Sequence, residues 1–368
     1  MMNVAIIGAG INGLMSALEL SEQGIQVHIY DQQQAGLEAS WAGGGILSPM
    51  YPWRYPQAVN TLAKHAKYLY HQWNEKLFPI TGIDFQIQQT GMLIFDHNDF
   101  AQGLAYAEKY NEPMQRCEKI SQSKIKNINP RVSKNLQEAI FFPELSNIRN
   151  PRVLQSVIRY LQKQPNVQFH ENIKISNLIP NKDEVHAIQD HNQNIYFHDH
   201  IVIATGAWSA EWSKQLNIQL PVYPIQGQMA LFKTPPHWLP TMCMNKVMYL
   251  IPRQDGHIVC GSSMKDIGFN KDTCNDTQKN ILAACFEMIP ELQKFPLIKA
   301  WTGLRPSSPH GIPYIGQLPH LKNVWLNTGH FRNGLCMGAA SAQLLRQHML
   351  SQPLIEDPTP YSPNQLYI

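Results

Sequence analysis

The stretch from residue 3 to residue 31 constrains this chain more than any other. Val4-Ala5-Ile6-Ile7 is an apolar run with the length of one buried strand, and Gly8-Ala9-Gly10-Ile11-Asn12-Gly13 follows it directly. Leu14, Ala17, Leu18 and Leu20 then recur at helical spacing; Gly24 closes that helix, and Val27-His28-Ile29-Tyr30 reads as a second strand ending at Asp31. Strand, glycine turn, helix, strand and acid in this order predict a unit that binds a dinucleotide. Gly8 permits the turn out of the strand, Gly10 lets backbone approach a pyrophosphate, and Gly13 lets the helix lie close to the sheet. The helix N-terminus offers amides and a positive dipole end to the phosphates. Asp31, followed by Gln32, is placed to accept hydrogen bonds from ribose hydroxyls, and its charge disfavours the 2′-phosphate of NADP. A glycine turn alone is generic; with both strands, the helix and the acid in register it is specific.

At 368 residues the chain exceeds the usual size of a single core, so two domains are expected. A formal charge of +3 with scattered Lys and Arg leaves no footprint for nucleic acid. No apolar run approaches the roughly 20 residues of a membrane span. The first strand starts at residue 3, which leaves no room for a signal peptide, so a cytoplasmic protein is expected. Six cysteines without a CxxC pair read as reduced thiols, and fifteen histidines without metal spacing give no metal site.

After Asp31, Ala39-Ser40-Trp41-Ala42-Gly43-Gly44-Gly45 has little side-chain bulk and could lie flat against a ligand or move as a loop; its apolar flanks favour order. Tyr51-Pro52-Trp53-Arg54-Tyr55 reads as a lid or wall, followed by one long helix over residues 57–78. Residues 85–88 and 91–95 read as a hairpin, 100–110 and 118–126 as helices, and 139–142 as a strand. Asn150-Pro151 predicts a helix start with Asn as N-cap. Residues 167–170, 184–188 and 195–197 read as a small meander. Ile201-Val202-Ile203-Ala204-Thr205-Gly206-Ala207-Trp208 is a buried parallel strand ending in a glycine, which points to a flavin-type rather than a plain NAD domain. From Val222 onwards the chain is strand-rich, with one helix over 276–288 and a last helix over 335–350; residues 353–368 read as a loose tail.

Three features in the second half could carry chemistry: Tyr249 on a strand, Gly303-Leu304-Arg305-Pro306, and Gly329-His330-Phe331-Arg332-Asn333-Gly334 at a helix start. Arginine offers a planar fork that matches a carboxylate, and a tyrosine hydroxyl can add one hydrogen bond. Taken singly, each arginine is as well read as an ion-pair partner and the tyrosine as packing; beside a flavin domain, a carboxylate clamp is the better reading. The helix after Gly334 is either an ordinary capped helix or one whose positive end could face a ring that gains negative charge; the glycines flanking residues 330–333 favour the second.

These motifs, with Pro313-Tyr314-Ile315-Gly316, occur in family order over almost the whole chain, which resembles the D-amino-acid oxidase family of flavoproteins, most closely the bacterial glycine oxidases of thiamine biosynthesis. The resemblance implies non-covalent FAD and oxidative deamination of a small amino acid by oxygen. It implies that Arg305 binds the substrate carboxylate with help from Tyr249, and that Arg332 lies close to substrate and flavin. FAD would be bound by Gly8, Gly10, Ile11, Asn12, Gly13, Asp31, Gln32, Ser40, Ala42, Gly43, Gly44, Gly45, Thr205, Gly206, Trp208 and Gly303. His330, Phe331, Arg332, Asn333, Gly334 and Leu335 would line its ring, and Lys174 would meet adenine through its backbone. Related sarcosine oxidases hold FAD through a cysteine near the position of Leu304 and Arg305; none lies there.

The expected fold is α/β: a Rossmann-like FAD-binding domain from residues 1–80, 143–217 and 303–352, with a discontinuous antiparallel-sheet substrate domain from 81–142 and 218–302. The expected reaction takes glycine, oxygen and water to glyoxylate, ammonia and hydrogen peroxide, with the imine available to thiazole synthesis. Its rivals are a D-amino-acid or sarcosine-type oxidase or dehydrogenase, and a non-catalytic FAD-binding sensor. A homo-oligomer is compatible with all three.

Overall fold

The computed structural model describes residues 2–110 and 116–366. Its centre is a six-stranded sheet in the order Tyr314–Leu318, Leu321–Thr328, His200–Ile203, Asn3–Ile7, Gln26–Tyr30 and Val167–His170. The pairs are parallel except at Tyr314–Leu318, where a tight reversal makes the edge antiparallel. Asn3–Ile7 is central because Val4, Ala5 and Ile6 are apolar on both faces and fully buried. Helix Ile11–Ser21 packs on one face beside helices Asn150–Leu161 and Gly334–Met349. A three-stranded antiparallel meander, Ile175–Asn181, Glu184–Asp190 and Ile195–Tyr196, covers part of the other face, its Val185 and Ile188 buried in one core with Ile201 and Ile203.

A second, eight-stranded sheet runs Leu297–Ser307, Tyr223–Lys233, His257–Gly261, Tyr249–Pro252, Met242–Met244, Met92–Ile94, Glu138–Phe142, Glu118–Ser121. It is antiparallel, as expected, with one parallel pair between Met242–Met244 and Met92–Ile94. Leu297–Ser307 pairs with Tyr223–Lys233 as far as Ser307, so the expected division at residue 303 falls inside a strand. Among the described residues no helix is long and apolar enough to cross a membrane.

Several local readings are overturned. The long helix is two, Gln57–Ala63 and Ala66–Thr81, because Lys64 and His65 break the run and both reach Glu356. Residues 85–95 form no hairpin: Gly91 turns the chain at φ +63, Gln88–Gln89 pairs with Ser146–Asn147, and the wholly buried Met92–Ile94 enters the large sheet. Glu118–Ser121 is an edge strand with only Ile120 buried, and the helix there is Gln122–Ile128. Val167–His170 leaves the expected meander to extend the parallel sheet, and Ile175–Asn181 takes its place. Asn150 does not cap its helix; its amide donates to the Ser40 carbonyl at 2.9 Å. The tail is packed rather than loose: Tyr361 is buried and its hydroxyl donates to the Ala58 carbonyl at 2.7 Å. Its last two residues lie outside the described ones.

Candidate active site

The glycine turn is as tight as its sequence requires. A Cβ on Gly13 would lie 1.9 Å from the Gly8 carbonyl oxygen, and Gly8 itself turns at φ +106. Only glycine at both positions lets the helix start this close to the strand end. The Ser40 hydroxyl accepts from Ile11 N–H at 2.8 Å, tying the helix start to the glycine-rich loop. Asp31 accepts from Ala9 N–H at 2.7 Å and Gln33 N–H at 2.9 Å. Each carboxylate oxygen therefore holds one backbone amide and retains acceptor capacity. Burial raises the Asp31 pKa, against those two hydrogen bonds.

One cleft joins the carboxyl ends of the parallel strands to the second sheet, the place where open α/β sheets bind ligands. Its wall contains Gly8, Gly10, Ile11, Asn12, Asp31, Gln32, Ser40, Ala42, Gly43, Gly44, Gly45, Lys174, Thr205, Gly206, Trp208, Gly303, Phe331, Asn333, Gly334 and Leu335, together with Tyr249, Arg305 and Arg332. Two of the expected residues stand behind the wall. Gly13 packs on Gly8, as above. His330 is fully buried between Asn12 Nδ2 at Nδ1 and Ser341 Oγ at Nε2, 3.0 Å each. Burial pushes its pKa down to about 3, so the ring is neutral and links the start of helix Ile11–Ser21 to the middle of helix Gly334–Met349. Lys174 is in the wall, but its carbonyl already accepts from His191 N–H and its ammonium faces Glu211 at 3.7 Å.

At the second-sheet end, Arg305 rises from Leu297–Ser307 over Gly227, where a Cβ would meet the guanidinium at 2.2 Å. Arg305 Nη1 donates to the Ser263 carbonyl at 3.2 Å and Nη2 to Ser262 Oγ at 2.5 Å. Burial lowers its pKa; Tyr249 opposes this and Arg332 reinforces it. Arg332 Nη2 donates to Met50 Sδ at 3.8 Å. Among the described residues neither guanidinium has a carboxylate partner. Two like charges share one cleft, an arrangement that an anionic ligand relieves.

Sequence reasoning missed Met50, Gly227, Met229 and Ser262 in this wall, and Arg253 behind it. Arg253 is buried and donates to Asn147 Oδ1 at 2.6 Å, the Ile148 carbonyl at 2.9 Å and the Gly44 carbonyl at 2.7 Å. It pins the glycine-rich loop, and burial lowers its pKa to about 9. No spacing signals these residues, because a loop, strand Tyr223–Lys233 and the ends of strands Tyr249–Pro252 and His257–Gly261 contribute them.

The wall fits a flavin dinucleotide. Asp31, the helix amides, the glycine-rich loop and the start of helix Gly334–Met349 all contribute to it. Asn150 Oδ1 and Asn333 Nδ2, both buried and both of wall residues, find no partner among the described residues. Buried polar atoms left this way are costly unless a ligand or water meets them.

Residues 3–348 match the family model described as FAD dependent oxidoreductase. The chain is 39% identical over 360 residues to the glycine oxidase of Pseudomonas putida, covering 98% of each. The bifunctional protein ThiO/ThiG of Trichormus variabilis is 27% identical, over 95% of this chain and 53% of that protein. The crystal structure of glycine oxidase from Geobacillus kaustophilus superimposes with a TM-score of 0.91 at 21% identity, covering 98% of this chain and 97% of that one; it shares the fold.

Proposed function

This chain belongs to the FAD-dependent oxidoreductase family, and from that premise we propose that it oxidises glycine with oxygen and water to glyoxylate, ammonia and hydrogen peroxide. The observation that carries the substrate class is Arg305, a half-buried guanidinium with no acidic partner among the described residues, beside Tyr249. A small carboxylate satisfies it through two charge-assisted hydrogen bonds, and the Tyr249 hydroxyl supplies a third. The names of the Pseudomonas relatives support glycine. Fusion of the ThiO and ThiG names in other relatives supports a role for the imine in thiazole synthesis.

FAD would be held non-covalently by the glycine turn, Asp31, the 40–45 loop and residues 331–335, and supplies the two-electron acceptor when bound. Arg305 and Tyr249 fix the carboxylate, so that the Cα–H is presented in one orientation; positioning of this kind accounts for most of the work asked of the chain. The wall contains no histidine among the described residues. Its acids are engaged elsewhere: Asp31 at the glycine turn, Glu38 with Lys271 at 2.9 Å, and Glu211 with Lys174. The amine has to give its proton to solvent before the Cα–H leaves as hydride, and no side chain here is assigned that proton.

The experiment is anaerobic mixing of the yellow protein with glycine, sarcosine, D-alanine and D-proline. Glycine should bleach the flavin absorbance fastest. A flavin that no amino acid bleaches would refute the reading and favour a non-catalytic FAD protein; faster bleaching by D-alanine or D-proline would replace glycine as substrate.

A further inference from the structure

The proposed reaction releases hydrogen peroxide into the cleft at every turnover. Among the described residues two methionines stand in the cleft wall, Met50 and Met229. They differ in access. Met229 is 2% exposed; its Sδ accepts from the Tyr249 hydroxyl at 3.5 Å, and a Cβ on Gly261 would lie 2.3 Å from that sulfur. Met50 is half-buried, in the loop before the short helix Pro52–Arg54, and its Sδ lies 3.8 Å from Arg332 Nη2. A thioether is one of the few protein groups that peroxide oxidises directly, and susceptibility follows exposure. The Met50 sulfur is therefore the open thioether beside the place where peroxide forms, and it touches one of the two guanidinium groups that face the substrate site.

We propose that Met50 is a self-oxidation site: peroxide formed in the cleft converts its thioether to the sulfoxide, and the sulfoxide weakens the carboxylate site. A lone pair of Sδ forms the S–O bond as the O–O bond of the peroxide breaks. The sulfur loses two electrons, the peroxide gains them, and the departing hydroxide takes the proton from the new S–OH and leaves as water. The oxidant is the product of the proposed reaction, so no further reagent is needed. The Arg332 guanidinium beside the sulfur can donate to the departing oxygen and stabilise its charge. Before oxidation Arg332 meets a weak acceptor. Afterwards it meets a polar oxygen, which engages N–H groups that a substrate carboxylate would otherwise use and sets the negative end of a dipole against that carboxylate. Methionine sulfoxide reductases reverse the change, which makes it a switch and not a lesion. The inference rests on the peroxide release of the proposed function; it adds how that product acts back on the clamp.

Two ways of supplying peroxide separate this inference from the reading beneath it. In one arm the yellow protein turns over glycine in air, with catalase in the bulk solution. In the other it receives hydrogen peroxide and no amino acid. Peptide mass spectrometry reads the added oxygen at Met50 and at Met264, which is 60% exposed, lies outside the cleft wall and serves as the bulk control. Turnover under catalase should oxidise Met50 ahead of Met264; added peroxide should oxidise both. Glycolate affinity, from titration of flavin absorbance, should fall by about fivefold to tenfold in either treated sample, the scale of one hydrogen bond to a charged group. Methionine sulfoxide reductase should restore it. Met50→Leu should bind glycolate equally before and after treatment. Met50→Gln, which carries an acceptor oxygen without any peroxide, should show the loss from the start. Met50 oxidised no faster than Met264 during glycine turnover, or glycolate affinity unchanged once Met50 is oxidised, would overturn the inference. Loss of glycolate affinity through Met50 in the added-peroxide arm, with no bleaching or turnover by glycine, would uphold the oxidation site and sink glycine as the substrate.

Discussion

Replacing Arg305 with Ala tests the clamp directly. In the structure two of its N–H groups are spent on the Ser263 carbonyl and Ser262 Oγ, which hold the fork in place over Gly227. Its remaining N–H groups meet no carboxylate among the described residues, with the Tyr249 hydroxyl beside them, and can donate to a substrate carboxylate. Truncating one partner of a desolvated charge pair costs about 2–5 kcal/mol. Arg332 stays in the same cleft and leaves one cation for the carboxylate. The lower part of the range is therefore expected, about 2–3.5 kcal/mol, or roughly 30- to 300-fold in affinity. Arg305→Lys should recover only part of this, since an ammonium keeps the charge without the planar fork. The assay is titration of flavin absorbance with glycolate for wild type and both variants, with FAD content measured alongside. FAD should remain bound, because the glycine turn and Asp31 are untouched. Glycolate binding equal to wild type in Arg305→Ala would refute the clamp and pass the role to Arg332.

Gly227→Ala keeps the Arg305 charge but puts a Cβ 2.2 Å from its guanidinium; displacing the fork should weaken glycolate by about tenfold, and unchanged affinity would mean the fork need not sit where it does. Asp31→Ala should weaken FAD by about 1–3 kcal/mol if the carboxylate accepts from ribose as proposed, read from FAD dissociation constants; affinity unchanged within error would remove Asp31 from the site. Burial, with His28 and His170 close by, pushes the His198 pKa down to about 4. The unfolded chain then binds more protons between that pH and about 6.5, so stability is intact above pH 6.5 and falls towards pH 4, by up to about 3 kcal/mol from this residue. Thermal melts across this range should show the loss, smaller in His198→Asn; an equal loss in the variant would contradict the assignment.

The first thirty residues determined the centre of the molecule by themselves. An apolar strand, glycines at fixed offsets and an acid at the next strand end are local requirements of one tight turn, so their spacing is legible without any partner. The same holds for Ile201–Ile203, whose unbroken apolar run has to lie between two other strands. What the chain could not disclose locally was decided by pairing across long separations. Met92–Ile94 looked like half of a hairpin and became an interior strand, because its partners, 242–244 and 138–142, lie far along the chain. The tail looked loose because its prolines bar regular structure, yet Tyr361 and Glu356 are held by Ala58, Lys64 and His65. The two arginines were visible as residues, but their lack of acidic partners among the described residues was not. Tertiary structure alone brought Arg305, Tyr249 and Arg332 to one cleft and moved His330 behind its wall, because that wall is assembled from segments that the sequence keeps apart.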